Sequence, residues 1–222
     1  KKKIYELIYL KAKQNNIELP ENTEESVNDA IMKLHAINDK FGSFLNDTLN
    51  GFHDFFRVLG SKEIYSLAQS VLGSPQDCIL GNNFRFRSQI PGRDEISNLP
   101  WHQDSHYNNF YKNGNSVAIW TSVFDVDEER GPVVFKIGSH ALGELPQVIQ
   151  TKSNDHKVYT IDQKYIDDPR FNEISVTTES ADIALIDMNI LHRSGKNKSK
   201  NKVKLSLQCR YHNASMEGFF QG

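Results

Sequence analysis

The sequence predicts an α+β protein in which a helical first third precedes a β-sandwich or β-barrel. Apolar residues recur at helical spacing up to residue 75, and short segments of alternating character replace them from Cys78 onward. The gaps between these segments are too short or too polar for the crossover helices of a parallel sheet. Because 222 residues suffice for one sizeable core but hardly for two, we expect a single domain over residues 1–222.

The helical part, residues 1–75, is expected to hold three or four helices. The run Asn22-Thr23-Glu24-Glu25 follows Pro20 and is typical of a helix start, because its polar side chains can cap free backbone N–H groups. Gly60 and Gly73 are typical of helix ends. The predicted helices cover residues 4–10, 22–37, 41–59 and 61–72.

The β part, residues 76–222, is expected to form the barrel core. Its strand candidates are short apolar or alternating runs separated by Gly, Pro and Asn. The connection 143–178 is mostly polar, and we interpret it as a lid or an insertion over the mouth of the barrel. The predicted strands cover residues 83–90, 116–126, 133–137, 158–161, 183–187 and 202–211.

Composition and charge exclude several classes of protein. Lys and Arg number 26 against 28 Asp and Glu, and the net charge of −2 gives no field that attracts nucleic acid or an anionic membrane. No apolar run approaches the roughly 18 residues of a membrane span. The two cysteines, Cys78 and Cys209, show no CxxC spacing and fit a reducing compartment, so we expect a cytoplasmic protein.

The segment Leu99–Tyr107 carries a candidate metal site. His102 and Asp104 are two positions apart, so on an extended strand both side chains project from the same face. An imidazole and a carboxylate so placed make up the local half of a two-His-one-carboxylate site, which leaves open positions on Fe(II). His192 is the strongest candidate for the third ligand, because it follows the apolar strand candidate 183–187 and a turn.

Several motifs together resemble the phytanoyl-CoA dioxygenase family of Fe(II)/2-oxoglutarate oxygenases. The resemblance extends over roughly residues 84–211, its motifs occur in the family's order, and the 90 positions between His102 and His192 suit that family. No motif of the family is matched in the helical first third. The motifs are His102-Gln103-Asp104, Ser116–Trp120, Gly131–His140 and Asp182–Asn197.

The resemblance implies a fold, a cofactor and a reaction. The fold is a double-stranded β-helix, a jelly-roll or cupin-like barrel, with the N-terminal helices packed outside it. His102, Asp104 and His192 would hold Fe(II) as the catalytic triad, and 2-oxoglutarate and O2 would be co-substrates. A small organic substrate would be hydroxylated while 2-oxoglutarate is decarboxylated to succinate and CO2. The carboxylate of Asp104 favours hydroxylation over halogenation, since halogenating relatives have a small residue there.

The residues expected to bind 2-oxoglutarate depart from the family pattern. Family members hold its distal carboxylate with an arginine ten or eleven positions after the second histidine, where this chain has Lys202 and Val203. Lys202 precedes Ser206 by four positions, as the family's arginine precedes its serine, and Lys204 is the alternative. Arg85 or Arg87 on the strand before the HxD segment would also supply a guanidinium. By resemblance, Trp120 and Ser194 line the same pocket.

Two other functions and the nature of the substrate stay open. The missing arginine allows a different 2-oxo acid as co-substrate, or a barrel that binds a metal or ligand without catalysis. The same triad around zinc would suit a hydrolase if a general base lay nearby. We interpret His106, the one candidate base, as a surface or loop histidine. The five lysines at alternate positions from 196 to 204 are either a solvated loop or a rim for an anionic substrate. The oligomeric state is not predicted.

Overall fold

The helical part holds five helices. The computed structural model describes residues 1–75, 78–93, 98–107, 115–151 and 157–216. Thr23 begins the second helix, where its Oγ1 accepts a hydrogen bond from the Ser26 N–H, and Gly73 ends the fifth in the left-handed conformation. The helices are α1 Lys2–Gln14, α2 Glu24–Ile37, α3 Phe41–Asn50, α4 His53–Leu59 and α5 Lys62–Leu72.

The single helix predicted over 41–59 is in fact two. The first, α3, ends before Gly51, a poor helix former, and Phe52 is extended. The side chain of Asn50 turns to the neighbouring strand, where its Oδ1 accepts the Phe86 N–H at 2.6 Å, and Asn46 accepts the Ser88 N–H at 2.7 Å. Asn46 and Asn50 are four positions apart on α3, so both amides face β1 and bind backbone N–H groups of that strand.

Two antiparallel sheets form the barrel, and a third sheet lies beside them. The strand order is β1-β9-β2-β7 in the first sheet and β6-β3-β8 in the second, while β4 and β5 form a hairpin. This is the double-stranded β-helix that the resemblance implies. The strands are β1 Ile79–Gln89, β2 Ser116–Ser122, β3 Val133–Lys136, β4 Gln147–Thr151, β5 Lys157–Ile161, β6 Glu173–Val176, β7 Ile183–Asp187, β8 His192–Ser194 and β9 Lys204–Asn213.

Part of the predicted lid, residues 143–178, belongs to the barrel itself. Strand β6 pairs with β3 in the second sheet, with Val176 opposite Val133. Strand β4 is exposed at every position, and β6 is exposed at three of its four positions. Neither strand therefore shows the apolar alternation by which a half-buried strand is recognised in a sequence. Both were therefore missed, whereas β7 covers the predicted residues 183–187.

One face of β9 packs against the helices, and the other faces the space between the two sheets. Leu205, Cys209 and Tyr211 are wholly buried against the helices, and the Tyr211 hydroxyl donates to the Leu59 carbonyl at 2.5 Å. The intervening residues from Lys204 to Arg210 point the other way, into the space between the sheets. The helices thus stabilise the outer face of the first sheet and leave its inner face for polar side chains. None of the helices in the described ranges is long and apolar enough to cross a membrane.

Candidate metal centre and co-substrate cavity

His102 and His192 are joined through their backbones. The His102 N–H donates to the His192 carbonyl at 3.0 Å, and the His192 N–H donates back to His102 at 3.1 Å. Strand β8, which begins at His192, is held in turn by β3. The two imidazole rings lie 4.2 Å apart between centroids. An antiparallel bridge therefore fixes the spacing of two side chains that are far apart in sequence.

Both imidazoles are held in one tautomer. The Nδ1 of His102 lies 2.7 Å from the Pro100 carbonyl oxygen, and the Nδ1 of His192 lies 3.0 Å from that of Ile190. A carbonyl oxygen only accepts, so each Nδ1 carries a hydrogen, and in the neutral ring this leaves the lone pair on Nε2. Backbone contacts of this kind orient histidine ligands in metal sites.

Asp104 completes a group of three buried side chains. Its Oδ1 lies 3.8 Å from the Nε2 of His102 and 4.0 Å from that of His192. One ligand atom from each of the three residues lies within 4.8 Å of the others. Asp104 opens a 3-10 turn, Asp104–Tyr107, so the two side chains of the HxD motif converge through a bridge and a turn rather than along one extended strand. Two neutral imidazoles and a carboxylate are a donor set that fits ferrous iron.

Strand β9 holds the carboxylate of Asp104 in place. The Arg210 Nη2 donates to Oδ1 at 2.6 Å, and the Gln208 Nε2 donates to Oδ2 at 2.8 Å. Sequence reasoning did not assign either residue to the metal site. The alternation of β9, which puts both on the same face as Lys204, is the signal that could have found them.

Burial and charge set the protonation of Asp104 and His102. Burial would raise the pKa of Asp104, but the Arg210 guanidinium and then the two histidines outweigh it and hold that pKa at about 2. Burial, reinforced by His192, lowers the pKa of His102 to about 3. Asp104 is therefore ionised and His102 neutral at pH 7, which are the forms that bind a metal ion.

A cavity adjoins the triad on the inner face of the first sheet. Lys204 is buried in its wall and donates to the Gly131 carbonyl oxygen. Ser194 also lines it, and its Oγ accepts the Leu99 N–H at 3.1 Å. The structure thus brings most of the predicted co-substrate residues to the metal site. The predicted residues that line the cavity are His102, His192, Arg87, Trp120, Ser194, Lys204 and Ser206.

Lys202 and Arg85 do not line this cavity. Strand β9 starts at Lys204, so Lys202 lies in the loop before it, exposed and paired with Asp127 at 2.9 Å. Arg85 is exposed beside a register shift in β1, and its Nε donates to the Asn83 Oδ1 at 3.1 Å. Of the four basic residues predicted for the co-substrate, Arg87 and Lys204 do reach the cavity.

Two residues of the HxD segment are structural. His106, interpreted as a surface or loop histidine, does not lie at the surface: it is buried and its Nε2 donates to the Leu145 carbonyl at 2.7 Å. Gln103 is fully buried; its Nε2 donates to the carbonyls of Gly143 at 2.9 Å and Asn189 at 2.5 Å, and its Oε1 accepts the Leu145 N–H at 2.8 Å. These bonds fasten the segment that carries two triad residues to the start of the 143–178 connection.

Solved structures of low sequence identity share the fold. The epimerase SnoN, in complex with Fe3+, α-ketoglutarate and nogalamycin RO, is 21% identical with a TM-score of 0.59, over 77% of this chain and 62% of its own. EvdO2 from Micromonospora carbonacea var. aurantiaca, complexed with 2-oxoglutarate, is 18% identical with a TM-score of 0.58, over 71% and 62%. EctD from S. alaskensis, with 2-oxoglutarate and 5-hydroxyectoine, is 15% identical with a TM-score of 0.57, over 75% and 55%.

Sequence comparison identifies the family. The mouse peroxisomal phytanoyl-CoA dioxygenase is 27% identical over 118 residues, which are 53% of this chain. The match spans 34% of that relative, about a third of its length. The sequence profile described as Phytanoyl-CoA dioxygenase (PhyH) matches residues 6–204, nearly the whole chain. The protein therefore belongs to the phytanoyl-CoA dioxygenase family.

Proposed function

We propose that the chain is a non-haem Fe(II)- and 2-oxoglutarate-dependent dioxygenase that hydroxylates a small organic substrate. The observation that carries the proposal is the buried group His102, Asp104 and His192, with both Nε2 atoms and one carboxylate oxygen gathered within 4.8 Å. Bound ferrous iron would supply activation of O2, coupled to decarboxylation of 2-oxoglutarate to succinate and CO2. Three protein ligands leave the other positions of a six-coordinate ion to the co-substrates.

Lys204 is the residue that we propose for the distal carboxylate of 2-oxoglutarate. Its ammonium group is buried at the wall of the cavity that His102 and His192 also line. An ammonium makes a charge-assisted contact with a carboxylate, and burial strengthens it. Ser194, Ser206 and Trp120 surround the same space and would exclude water from the co-substrate.

The zinc hydrolase alternative loses its candidate base. That reaction needs a group beside the metal that takes a proton from water. His106 donates its Nε2 hydrogen to Leu145, and its Nδ1, the nitrogen that would take the proton, is buried and contacts no polar group of the described residues. The alternative of a non-catalytic barrel is decided by whether the cavity binds 2-oxoglutarate.

Anaerobic titration of the Fe(II)-loaded protein with 2-oxoglutarate tests the proposal. We expect a saturable visible charge-transfer band, followed by succinate formation when O2 is admitted. Asp104→Ala should remove iron binding and the band, whereas Asp47→Ala, at an exposed position of α3, should keep both. Bound iron without a band would support the non-catalytic barrel, and an undiminished band in Asp104→Ala would refute the triad.

The setting of the protein is also a proposal. Both Cys78 and Cys209 are free thiols, which supports a reducing, cytoplasmic location. The cavity between the sheets favours a small molecule over nucleic acid or a membrane as the partner. We further propose that residues 1–222 act as one oxygenase domain, in which the helices stabilise the outer face of the catalytic sheet.

A further inference from the structure

Arg87 stands between two cavities. It lies on β1 opposite Ser206 of β9 and lines the cavity that contains His102 and His192. It also lines a second cavity, which lies between β1 and the ends of α2 and α3. Ser88 is shared in the same way, so the two cavities meet along this part of β1. The second cavity is further lined by His35, Asp39, Gly42, Ser43, Asn46, Ile90 and Arg93.

The guanidinium of Arg87 has no hydrogen bond and no ion pair with any residue in the described parts of the chain. The side chain of Arg87 is exposed to solvent in the two cavities that it borders. Partial desolvation by the cavity walls lowers its pKa, followed by the nearby charge of Arg85. A guanidinium that lines a cavity and pairs with no described residue has all its donors available for an anion in that space.

Arg87 is oriented toward the metal site rather than away from it. Its electrostatic partners are Tyr107 and Asp104, which favour its charged form, and Arg210, which opposes it. Asp104 already accepts hydrogen bonds from Arg210 and Gln208, so its carboxylate is engaged elsewhere. An anion held by Arg87 would therefore lie within reach of the metal centre.

The position of Arg87 differs from that of Lys204. Lys204 lies opposite Gln89, one step further along the inner face, and it borders the first cavity alone. Besides Arg210, which is bound to Asp104, the inner face presents the cations Arg87 and Lys204 at successive levels, and 2-oxoglutarate has one distal carboxylate for Lys204 to bind. The guanidinium of Arg87, with its fork of donors, is left for a different anion.

The second cavity can accommodate the group that carries this anion. Both ring nitrogens of His35 are buried and have no hydrogen-bond partner among the described residues. Burial, and then Arg93, lower the pKa of His35, so its imidazole is neutral at pH 7 and offers one donor and one acceptor. Asp39 is the acidic residue of this wall; it is exposed and lies 3.9 Å from the Nη2 of Arg93.

We propose that the primary substrate is a small organic anion whose carboxylate or phosphate group binds the guanidinium of Arg87. The rest of the substrate extends from there toward the metal centre, and the cavity beside His35 adjoins the same anion site. The proposal rests on the proposed oxygenase function, which supplies the reason for a second ligand in the same cavity. The proposal thus places the anion site at Arg87 on the inner face of β1, and not at the lysines of residues 196–204.

Binding of three simple probes to the Fe(II)- and 2-oxoglutarate-loaded protein tests this site. The probes are benzoate, phenylphosphonate and the neutral benzamide, added under anaerobic conditions at constant ionic strength. The dissociation constant is taken from the dependence of the unfolding temperature on probe concentration. Arg87→Gln is the test variant, Arg87→Lys keeps the charge without the fork, and Arg85→Gln is a matched control that removes an exposed charge from the same strand.

We expect at least one of the two anions to bind the wild type and Arg85→Gln with equal affinity and Arg87→Gln at least tenfold more weakly, with Arg87→Lys between them. Benzamide should not bind. Preference for benzoate assigns a carboxylate substrate, and preference for phenylphosphonate assigns a phosphorylated one. An anion that coordinates the metal directly would bind all variants alike, so equal affinities overturn the proposal, as does the absence of anion binding to the wild type.

The co-substrate titration separates this proposal from the oxygenase function. The half-saturating concentration of 2-oxoglutarate in the charge-transfer assay should stay within twofold of the wild type in Arg87→Gln. A tenfold rise would make Arg87 a co-substrate residue and overturn the proposal. If the wild type shows no band, the oxygenase function fails, whereas loss of anion binding in Arg87→Gln alone would still locate an anion site.

Discussion

Arg210 donates a 2.6 Å hydrogen bond to the same oxygen of Asp104 that faces the two triad histidines. Both side chains are buried, and Gln208 holds the other carboxylate oxygen. Asp104 therefore reaches the metal site already ionised and fixed in orientation. The residue that supplies the charge lies 106 positions away in sequence.

Replacing Arg210 with methionine should weaken iron binding. The substitution removes the main cause of the low pKa of Asp104 and frees its carboxylate to rotate. Loss of such a supporting contact typically reduces metal affinity about 10- to 100-fold. Competition with a chelator measures this, and Arg57→Met, at an exposed arginine paired with Asp54, is the control. Unchanged affinity would show that Arg210 does not position Asp104.

Lys204→Met and Lys202→Met form a matched pair for the co-substrate site. Both remove one lysine charge, but only Lys204 lines the cavity beside the triad, while Lys202 pairs with Asp127 at the surface. We expect the half-saturating concentration of 2-oxoglutarate to rise at least tenfold in Lys204→Met and to stay unchanged in Lys202→Met. An increase in Lys202→Met alone would instead assign the carboxylate to Lys202, the residue at the position of the family's arginine.

The stability of the metal-free protein should fall below pH 6.5, partly through His212. Burial, and then Arg210, lower the pKa of His212 to about 4, and Ser116 and Asn82 contact its two ring nitrogens. The unfolded chain takes up this proton near pH 6.5, so acid favours unfolding, whereas above pH 6.5 the contribution is constant.

At pH 5 this histidine should account for about 2 kcal/mol of the lost unfolding free energy. Urea unfolding at pH 7.5 and pH 5 measures the loss, and His212→Gln should show a smaller difference between the two pH values than the wild type. An equal difference in both proteins would mean that His212 titrates normally in the folded state.

Gln103→Glu should destabilise the fold although it changes a single atom. The carboxylate has no hydrogen to donate to the carbonyls of Gly143 and Asn189, and it would be fully buried there. Breaking buried contacts of this kind costs about 2–4 kcal/mol. Gln150→Glu, at an exposed position of β4, makes the same change without that environment. Similar urea midpoints for the two variants would show that the hydrogen bonds of Gln103 do not stabilise the fold.

The fold was predictable where the sequence pattern is local. Capping residues and apolar spacing located α2 and α5, and the apolar run 183–187 located β7. The exposed strands β4 and β6 were missed because a strand with little buried surface has no apolar alternation. The break between α3 and α4 coincides with the contact of Asn50 with β1, a tertiary contact that helix propensity does not contain.

The candidate site was predictable through motifs, and its supporting residues were not. The family motifs brought His102, Asp104 and His192 together, as the structure does. The choice between Lys202 and Lys204 depended on where β9 begins, and a shift of two residues moves a side chain from loop to cavity. The burial of His106 was not predicted, because its partner is the backbone carbonyl of Leu145, and the sequence does not indicate a contact with a backbone atom.

The backbone bridge between His102 and His192 also bears on the order of events in folding. The two histidines are 90 positions apart, so a long segment must fold back before the bridge can form, and contacts between distant residues form slowly. Helices α1–α5 are built from neighbouring residues and can form well before that. We therefore expect ferrous iron to bind after the chain has folded into the barrel. Iron binding would then follow barrel formation and would not nucleate it.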